Sequence, residues 1–463
     1  MSLRLVAAVL LSASPLLAQE STDVLPSATQ GPQRVISTQD EAQKAAEEVR
    51  KREVAGAEEA VTYEQVLADP DNVDLNYRYA RAQVKKGNLR GAISTLERIL
   101  TLKPDFPAAR LLYAVVLLRA GDLGEAEGEF EKLRSVELPY ELRSELTASL
   151  RQIRAANRKT RLTATLGGGM EYNDNQNSAP SSGERLFLDT PIILDSDSTR
   201  RGDFSKLLLG NLGVIHDFDK KRQVFATLGY YQAEQTQLKT LNIQNYSATL
   251  GGVVKTPWAD LLPAYEFSHL RLAQATYLRN HEVRLRLARD LGDGVDLFAD
   301  GSYADQRYNR TEVAPAGDQR TGEQYSGGVG AGVILGSRNR LSLGYAHTDQ
   351  NAVEAFNAYR RETFALEDTC MLGLGQFLLL SVSGNLDRYR SPDEAISSLF
   401  RKDDALRARG TYGLPLGFIT RPLDDALLTF TYEYFQAFSN ITNYSYTSNR
   451  ISALVTYKWS AGL

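Results

Sequence analysis

The residue types that most often do chemistry in proteins are few and widely spaced in this chain. The four histidines stand at positions 216, 269, 281 and 347, and none of them has the spacing of metal ligands. A Gly-x-Ser-x-Gly nucleophile elbow and a phosphate-binding loop are both missing from the sequence. The single cysteine, Cys370, cannot form an internal disulfide. These residues predict no enzyme, no catalytic or metal site and no cofactor.

Two stretches have the composition of ligand-binding loops but not their pattern. GGVGAGV at 327–333 has the glycines of a nucleotide loop, yet it lies in a stretch that alternates as a β-strand does. Asn173 to Asn177 is rich in side-chain oxygen atoms, but it lacks the glycine and the first aspartate of a calcium loop. Neither stretch predicts a bound ligand, and the function must be sought in the elements around them.

The first residues of the chain predict export. Residues 1–18 contain one basic residue, Arg4, followed by an apolar core and a small-residue region that ends at Ala18. This is the layout of a secretory signal peptide, and the apolar core is too short to span a bilayer as a helix. A buried N-terminal helix is the alternative. Residues 19–57 are predicted to be a flexible leader that becomes helical.

Residues 58–157 contain a repeat. Tyr113-Ala114 follows Tyr79-Ala80 after 34 residues, which is the tetratricopeptide period. The alanines predict close helix approach, the glycines end the first helix of each pair, and Leu96 and Phe130 fill the space between pairs. Such a stack offers a concave surface to an extended partner, whereas generic helical hairpins would have no binding role. The residues predicted to pack the repeats are Tyr79, Ala80, Gly87, Ala92, Leu96, Tyr113, Ala114, Gly121, Ala126 and Phe130.

From Thr160 onward the hydrophobic period becomes two. ISALVTYKW at 451–459 and LLTFTYEY at 427–434 place large apolar residues on one face and polar residues on the other. Fourteen such strands are predicted between residues 160 and 459, including 261–273 and 280–290. An even number of strands with apolar outer faces and aromatic ends is typical of a transmembrane antiparallel β-barrel. A periplasmic β-sandwich is the soluble alternative.

The links between the predicted strands alternate in length. DKKR (219–222), TPWAD (256–260), GDG (292–294) and SRNR (337–340) are predicted to be tight periplasmic turns, and the other links to be longer polar loops. The longest begins at Asn173 and ends near Arg201. Gly167 to Tyr172 would then finish the first strand, where glycine permits sharp curvature and close side-chain packing.

Alternation also places four arginines on the face predicted to line the lumen: Arg284, Arg286, Arg407 and Arg409. They indicate either a hydrated wall or a path for an acidic or unfolded substrate. The net charge of −4 is spread through the chain, so it does not indicate a nucleic-acid partner.

The order of signal peptide, short tetratricopeptide domain and barrel resembles the surface lipoprotein assembly modulator (Slam) family. The stretch YNDNQNSAP is similar to the family's Tyr-x-Ser/Asp-Asn-x-Asn-x-Ala-Pro pattern at the end of the first strand. The matching residues are Tyr172, Asn175, Asn177, Ala179 and Pro180. The resemblance implies an outer-membrane protein that helps lipoproteins, and some soluble proteins, reach the cell surface. It implies that the tetratricopeptide part lies in the periplasm, and it brings no catalytic residues.

The sequence therefore predicts a multidomain protein, with an all-α tetratricopeptide domain at 58–157 and an outer-membrane β-barrel at 158–463. The predicted function is delivery of lipoproteins or secreted proteins across the outer membrane, with the cargo captured by the periplasmic repeats and membrane lipid surrounding the barrel. An exopolysaccharide exporter with tetratricopeptide repeats is one alternative, although such exporters usually carry many more repeats. A plain porin with an accessory domain is the other.

Overall fold

The fold is known from a computed structural model, which describes residues 61–133, 136, 143, 146–147, 150, 159–195, 198–336 and 338–462. The predicted signal peptide, the predicted leader at 19–57 and most residues between 134 and 158 lie outside the described residues. The described part consists of a helical region and a closed antiparallel barrel of fourteen strands, which confirms the predicted fold class.

The helical region is a row of short antiparallel helices. They are α1 (Tyr63–Ala68), α2 (Val73–Lys85), α3 (Leu89–Leu102), α4 (Pro107–Ala120) and α5 (Leu123–Leu133). Local signals set their ends. The Asn72 and Asn88 side chains accept hydrogen bonds from the first-turn amides of α2 and α3, and Pro107 starts α4. Gly121 ends α4 in the left-handed region, with a φ of 97°. None of the described helices is both long and apolar enough to cross a membrane.

The core of the helical region is made by α4, which is apolar around most of its circumference. Seven of its residues are buried: Ala109, Leu111, Tyr113, Ala114, Val115, Val116 and Leu117. Against it pack α3, α5 and the segment that contains Leu146 and Leu150. A helix buried on most sides must lie at the centre of its domain. The helical stack therefore extends past α5 to at least Leu150.

The barrel closes by pairing β1 with β16, and every other barrel strand pairs with its neighbours along the chain. A separate hairpin, β2 (Glu184–Phe187) with β3 (Thr190–Ile193), lies in the first loop. The barrel strands are β1 (Thr160–Asn173), β4 (Asp203–Asp217), β5 (Arg222–Gln235), β6 (Ile243–Lys255), β7 (Asp260–Leu272), β8 (Ala275–Gly292), β9 (Val295–Tyr308), β10 (Gly322–Leu335), β11 (Asn339–Gln350), β12 (Tyr359–Gly373), β13 (Gln376–Tyr389), β14 (Lys402–Pro415), β15 (Ala426–Ser439) and β16 (Tyr446–Gly462).

Two links differ from the prediction that only four turns are tight. β7 and β8 are joined at the long-loop end by Ala273 and Gln274 alone, and both have positive φ. The pair makes a two-residue hairpin turn without the Asn-Gly signal that such turns usually carry. Because the turn is this short, β8 begins at Ala275, five residues before the predicted strand start at 280. Leu374 and Gly375 form another tight turn, between β12 and β13. At the same end, the link 416–425 is long and contains two short 3-10 helices.

The outer surface of the barrel is apolar. Outward side chains alternate with inward ones, and the outward ones are exposed in the isolated chain. They include Leu166, Leu212, Leu228, Leu250, Val283, Val329, Leu343, Leu366, Val382, Leu406, Phe430 and Val455. A closed sheet leaves no unpaired backbone edge, so such a surface is stable in hydrocarbon. The barrel is therefore of the outer-membrane type.

Candidate functional site

The helical stack is tied together by polar contacts as well as by its core. The Tyr113 hydroxyl of α4 shares its one proton between carboxylate oxygens of Glu97 on α3 (2.9 Å) and Glu125 on α5 (3.2 Å). Burial and these two carboxylates raise the pKa of Tyr113, so the hydroxyl keeps its proton. Arg110 of α4 pairs with Glu129 of α5 at 2.6 Å. Burial opposes the charge of Glu129, but hydrogen bonds from Lys132 and Arg110 outweigh it and lower its pKa. These polar contacts therefore join α3, α4 and α5.

The residues predicted to pack the repeats occupy three kinds of place. Gly87 and Gly121 have positive φ at the ends of α2 and α4. Tyr79 is half-buried and packs on Tyr63 of α1, with ring centroids 6.1 Å apart, whereas the equivalent Tyr113 lies in the core. The remaining seven are buried in one core cluster: Ala80, Ala92, Leu96, Tyr113, Ala114, Ala126 and Phe130.

A cluster of charges lines the inner wall where the barrel closes. Glu433 of β15 is 3% exposed and accepts hydrogen bonds from Arg407 and Arg409 of β14, the latter at 2.8 Å from Nε. Arg450 of β16 lies 3.7 Å from Glu433 and 3.4 Å from Glu171 of β1. This ion cluster therefore spans β14, β15, β16 and β1.

The other two predicted lumen arginines are paired as well. Arg284 of β8 contacts Glu282 at 2.9 Å. Arg286 lies 3.5 Å from Asp300 of β9, and its guanidinium stacks over the Phe298 ring at 4.2 Å. All four arginines thus lie on the inner face beside a carboxylate. This pairing favours polar wall lining over a bare basic path for an acidic substrate.

The long-loop half of the lumen also has an apolar wall. Leu209 of β4, Tyr231 of β5, Leu270 of β7, Tyr277 of β8 and Leu454 of β16 are buried in one cluster. Val313 and Ala314 of the loop between β9 and β10 pack against this cluster. The loop therefore folds toward the lumen and covers apolar side chains that would otherwise face water.

The glycines of β1 make room for this inner wall. A Cβ atom at Gly167 would lie 3.0 Å from Leu209 Cδ1 and 2.8 Å from Thr456 Cγ2. A Cβ atom at Gly169 would lie 2.1 Å from the carbonyl oxygen of Ala453, which is backbone and cannot move alone. At Gly168, which points outward, the nearest atom would be 3.7 Å away. The inward glycines thus let β4 and β16 side chains approach across β1.

The motif at the end of β1 is buried and hydrogen-bonded. The Asn175 amide donates to the carbonyl oxygens of Ala179 (3.0 Å) and Thr447 (2.9 Å), and its oxygen accepts from the Ala179 amide (2.9 Å). Asn177 donates to the Thr199 carbonyl at 2.7 Å and accepts from the Arg201 amide at 3.0 Å. Ala179 is fully buried, and Tyr172 packs on Phe204 of β4. The motif therefore ties the first loop to the first and last strands, and its last residue, Pro180, is also buried.

The first loop crosses the rim of the barrel and contacts the loop between β13 and β14. The backbone amides of Leu188 and Asp189, at the tip of the β2–β3 hairpin, donate to carbonyls of Ala395 and Ile396 at 3.0 Å. The Asp189 carboxylate accepts hydrogen bonds from the Ser397 hydroxyl and from the Ser398 amide at 3.1 Å. We call this contact with the β13–β14 loop the hairpin latch. The sequence prediction missed the hairpin because Leu188-Asp189 is not a usual turn pair, and both residues have positive φ.

A fully buried ion pair below the latch was also missed by the sequence prediction. Arg361 of β12 donates to both carboxylate oxygens of Asp387 on β13, at 2.6 and 2.5 Å. Arg401 pairs with Asp403 at 2.6 Å, and its guanidinium stacks over Tyr444 of the next loop at 3.3 Å. The alternating pattern marks these residues as inward-facing, but no local signal shows which partner each one meets.

At the same end, outward tyrosines bond to polar groups just above them. Tyr345 donates to Glu362 at 2.6 Å, and Tyr432 donates to Asn449 at 2.8 Å. Three others follow this arrangement: Tyr265 beside His281, and Tyr303 and Tyr325 beside Glu323. Aromatic rings with bonded hydroxyl groups mark the boundary between hydrocarbon and water. Two histidines belong to such pairs: His281 bonds to Tyr265, and His347 bonds to Glu362. The other two bond to threonines, His216 to Thr160 and His269 to Thr276. In the described residues no group of three or more His, Cys, Asp or Glu could hold a metal ion.

Comparison with known proteins identifies the helical region. The tetratricopeptide-repeat family model matches residues 54–105 and 86–138. DnaJ homolog subfamily C member 3 of Rattus norvegicus is 43% identical over 68 residues, which are 15% of this chain and 14% of that protein. The helical region is therefore built of tetratricopeptide repeats, as the 34-residue period predicted.

A second relative is the surface lipoprotein assembly modifier of Moraxella catarrhalis, 31% identical over 134 residues. The match covers 28% of this chain and 26% of that protein, so this chain spans about a quarter of that relative's length. Pseudomonas aeruginosa OpdL covers 65% of this chain at 11% identity and a TM-score of 0.34, with 99% of OpdL aligned. Vibrio cholerae OmpT lacking loop L8 covers the same share, with 99% of that chain aligned, at 7% identity and a TM-score of 0.36. The closed order of fourteen antiparallel strands is established by the strand pairing of this chain itself.

Proposed function

We propose that this protein is a Slam-type transport factor of the outer membrane, which delivers lipoproteins or secreted proteins to the cell surface. The observation that carries the proposal is the 134-residue similarity to the surface lipoprotein assembly modifier, in a chain where tetratricopeptide repeats precede a closed barrel. Repeats of this kind bind other proteins through their exposed surface. No catalytic step is required of the chain.

The proposed roles of the two domains follow from their order in the chain. β1 starts at the end of the barrel that carries most of the tight turns. The helical stack, which precedes β1 in the chain, therefore lies at that end of the barrel. Tight turns face the periplasm in barrels of this type. We therefore propose that the repeat domain, 58–157, lies in the periplasm and receives the cargo there. The barrel, 158–463, would then pass or hold the cargo through its polar inner wall.

The orientation has a direct test. A protease added to intact cells should cut, if anywhere, in the loops 309–321 or 390–401 or in the first loop. Cleavage at the 218–221 turn in intact cells would show that the tight turns face outward. The proposed site of cargo capture would then be on the wrong side of the membrane.

Transport is tested by deleting residues 60–155 in the cell. Heat-modifiable migration of the variant first shows that the barrel is folded and inserted. Surface lipoproteins are then labelled with a membrane-impermeant biotin reagent, and secreted polysaccharide is measured in the same strain. We expect loss of labelled lipoprotein with unchanged polysaccharide. Lost polysaccharide with unchanged lipoprotein would identify an exporter of polymer, and no change in either output would favour a plain porin.

A further inference from the structure

One periplasmic link of the barrel differs from its neighbours. The described links at 218–221, 256–259, 293–294, 336–338 and 374–375 are tight, whereas the link 416–425 between β14 and β15 is extended and carries two 3-10 helices. Phe418 and Ile419 of this link are exposed. Short turns suffice to join antiparallel strands, so the length of the link 416–425 is not needed for strand connection alone.

The helical stack contacts the barrel at this link. Arg143 Nε lies 3.1 Å from Asp424 Oδ1, and its Nη2 donates a hydrogen bond to the Gly417 carbonyl. The planar guanidinium thus holds both ends of the link with one side chain. The Arg143 and Asp424 side chains are 16% and 24% exposed, so the pair is partly shielded from water. Shielding from water strengthens the Coulomb attraction between the two charges, and it makes the loss of either partner costly.

Arg143 also belongs to the helical stack. The Thr147 hydroxyl donates to the Arg143 carbonyl at 2.9 Å, one helical turn away. Leu146 and Leu150, on the same segment, are buried in the core with α4 and α5. The backbone that carries Arg143 therefore cannot move without the stack.

The inner wall of the barrel next to the link 416–425 is apolar. Phe377, Leu379, Met371 and Leu427 form a buried apolar cluster at the tight-turn end of β12, β13 and β15. Leu379 alternates with the outward residues Leu380 and Val382, so the cluster lies on the inner face. A stack docked at this link therefore lies next to an apolar section of the wall.

We infer that Arg143 is a positioning residue, which docks the repeat domain on the link 416–425 and so presents its binding surface at the β14–β15 side of the barrel opening. The inference rests on the proposed function, because it supplies the geometry by which captured cargo is handed to the barrel. We call the contact between Arg143 and the link 416–425 the joint. The inference predicts that transport requires this joint in addition to two folded domains.

Charge reversal tests this joint in the full-length protein. Arg143→Asp and Asp424→Arg should each lower surface lipoprotein display by about fivefold, since each leaves like charges opposed across the joint. The double variant, Arg143→Asp with Asp424→Arg, should restore display, which a purely local folding defect would not do. Arg90→Asp, at an exposed position on α3, is the matched control and should be neutral. Heat-modifiable migration confirms insertion in every case.

Cross-linking tests the docking itself. In a Cys370→Ser background the chain has no other cysteine, so Arg143→Cys with Asp424→Cys reports one pair only. A short bis-maleimide should link this pair efficiently and the control pair, Arg143→Cys with Lys220→Cys, poorly. The double-cysteine protein lacks the ion pair, so its display should be lowered before linking and should rise toward the parent level once the link holds the two sites together.

Three outcomes would overturn the inference while leaving the proposed function intact, provided that deletion of 60–155 still abolishes display. These are normal display in both single variants, no rescue in an inserted double variant, and no rise in display on cross-linking. If the deletion itself leaves display unchanged, the proposed function fails and the joint has no transport role.

Discussion

The side-chain amide of Asn175 donates a 2.9 Å hydrogen bond to the backbone carbonyl of Thr447, so the loop after the first strand is attached to the start of the last one. Asn175 is almost fully buried, and the same amide group bonds twice to Ala179. The bond joins positions 272 residues apart, at the point where the barrel closes. A motif that looks like a ligand loop in the sequence is therefore a structural tie between the two ends of the barrel.

Asn175→Ala should release the first loop. The change leaves the Ala179 amide and the Thr447 carbonyl without this partner, and each unsatisfied buried group costs roughly 1–3 kcal/mol. We expect proteolysis in residues 180–195 of the purified, folded protein to be at least severalfold faster. Ser181→Ala, an exposed change in the same loop, should leave the rate unaltered. Equal rates in both variants would show that the tie does not hold the loop.

Gly169→Ala should weaken the closure of the barrel. Its Cβ atom would lie 2.1 Å from the Ala453 carbonyl oxygen, so β1 or β16 must shift, at a cost of about 1–3 kcal/mol. Gly168→Ala is a matched control on the same strand, because its nearest neighbour is 3.7 Å away. Urea unfolding in lipid vesicles, followed by heat-modifiable migration, measures both. Equal midpoints would contradict the packing argument.

Glu433→Gln should destabilise the barrel from inside. The substitution removes the carboxylate that Arg407 and Arg409 share, and uncompensated buried charge costs about 3 kcal/mol or more. The same urea titration measures the effect. Glu323→Gln is the control, since Glu323 is exposed at the rim and a tyrosine hydroxyl that loses its carboxylate oxygen there can bond to water. A midpoint for Glu433→Gln as high as the control's would mean that water in the lumen replaces the carboxylate.

The hairpin latch should weaken at acid pH. Hydrogen bonds from the Ser397 hydroxyl and from Ser398 lower the pKa of Asp189 below its ordinary value of 3.8. A carboxyl group with a lowered pKa stabilises the latched form above its ordinary pKa, and that contribution is lost as the pH falls through the lowered value. Deuterium exchange at the Leu188 and Asp189 amides should therefore accelerate, beyond the intrinsic rate, only at pH values below 3.8.

Asp189→Ala should show this fast exchange at neutral pH and lose the acid response. Glu184→Gln, an exposed change on β2, should behave as the parent protein does. An acid response that persists in Asp189→Ala would assign it to another group.

Ala114→Trp should damage the repeat domain alone. Ala114 is fully buried among helices, and a larger side chain there overpacks the core at a cost of about 1–3 kcal/mol. The helical signal should melt at a lower temperature, while heat-modifiable migration of the barrel stays normal. Ala120→Trp, at the exposed end of α4, should leave the helical transition unchanged. Failure of the Ala114 variant to insert would show that the two domains fold as one unit.

Much of this fold was readable from the sequence because its signals are local. A 34-residue spacing of alanines and glycines predicts paired helices, and alternation of apolar and polar residues predicts each barrel strand and its lipid-facing side. The inward placement of Arg407 and Arg409 follows from the same alternation, since a residue beside an outward Leu406 or Ala408 must point inward.

What the sequence could not supply was the identity of partners far apart in the chain. Nothing near Asn175 indicates Thr447, nothing near Asp189 indicates Ser397, and nothing near Arg407 indicates Glu433. The turn at Ala273-Gln274 contains no glycine, so the sequence did not predict a tight turn there. Both residues have positive φ where β7 pairs with β8. Closure of the barrel brings the first and last strands together, and only that long-range geometry decides which side chains meet on its inner wall and rim.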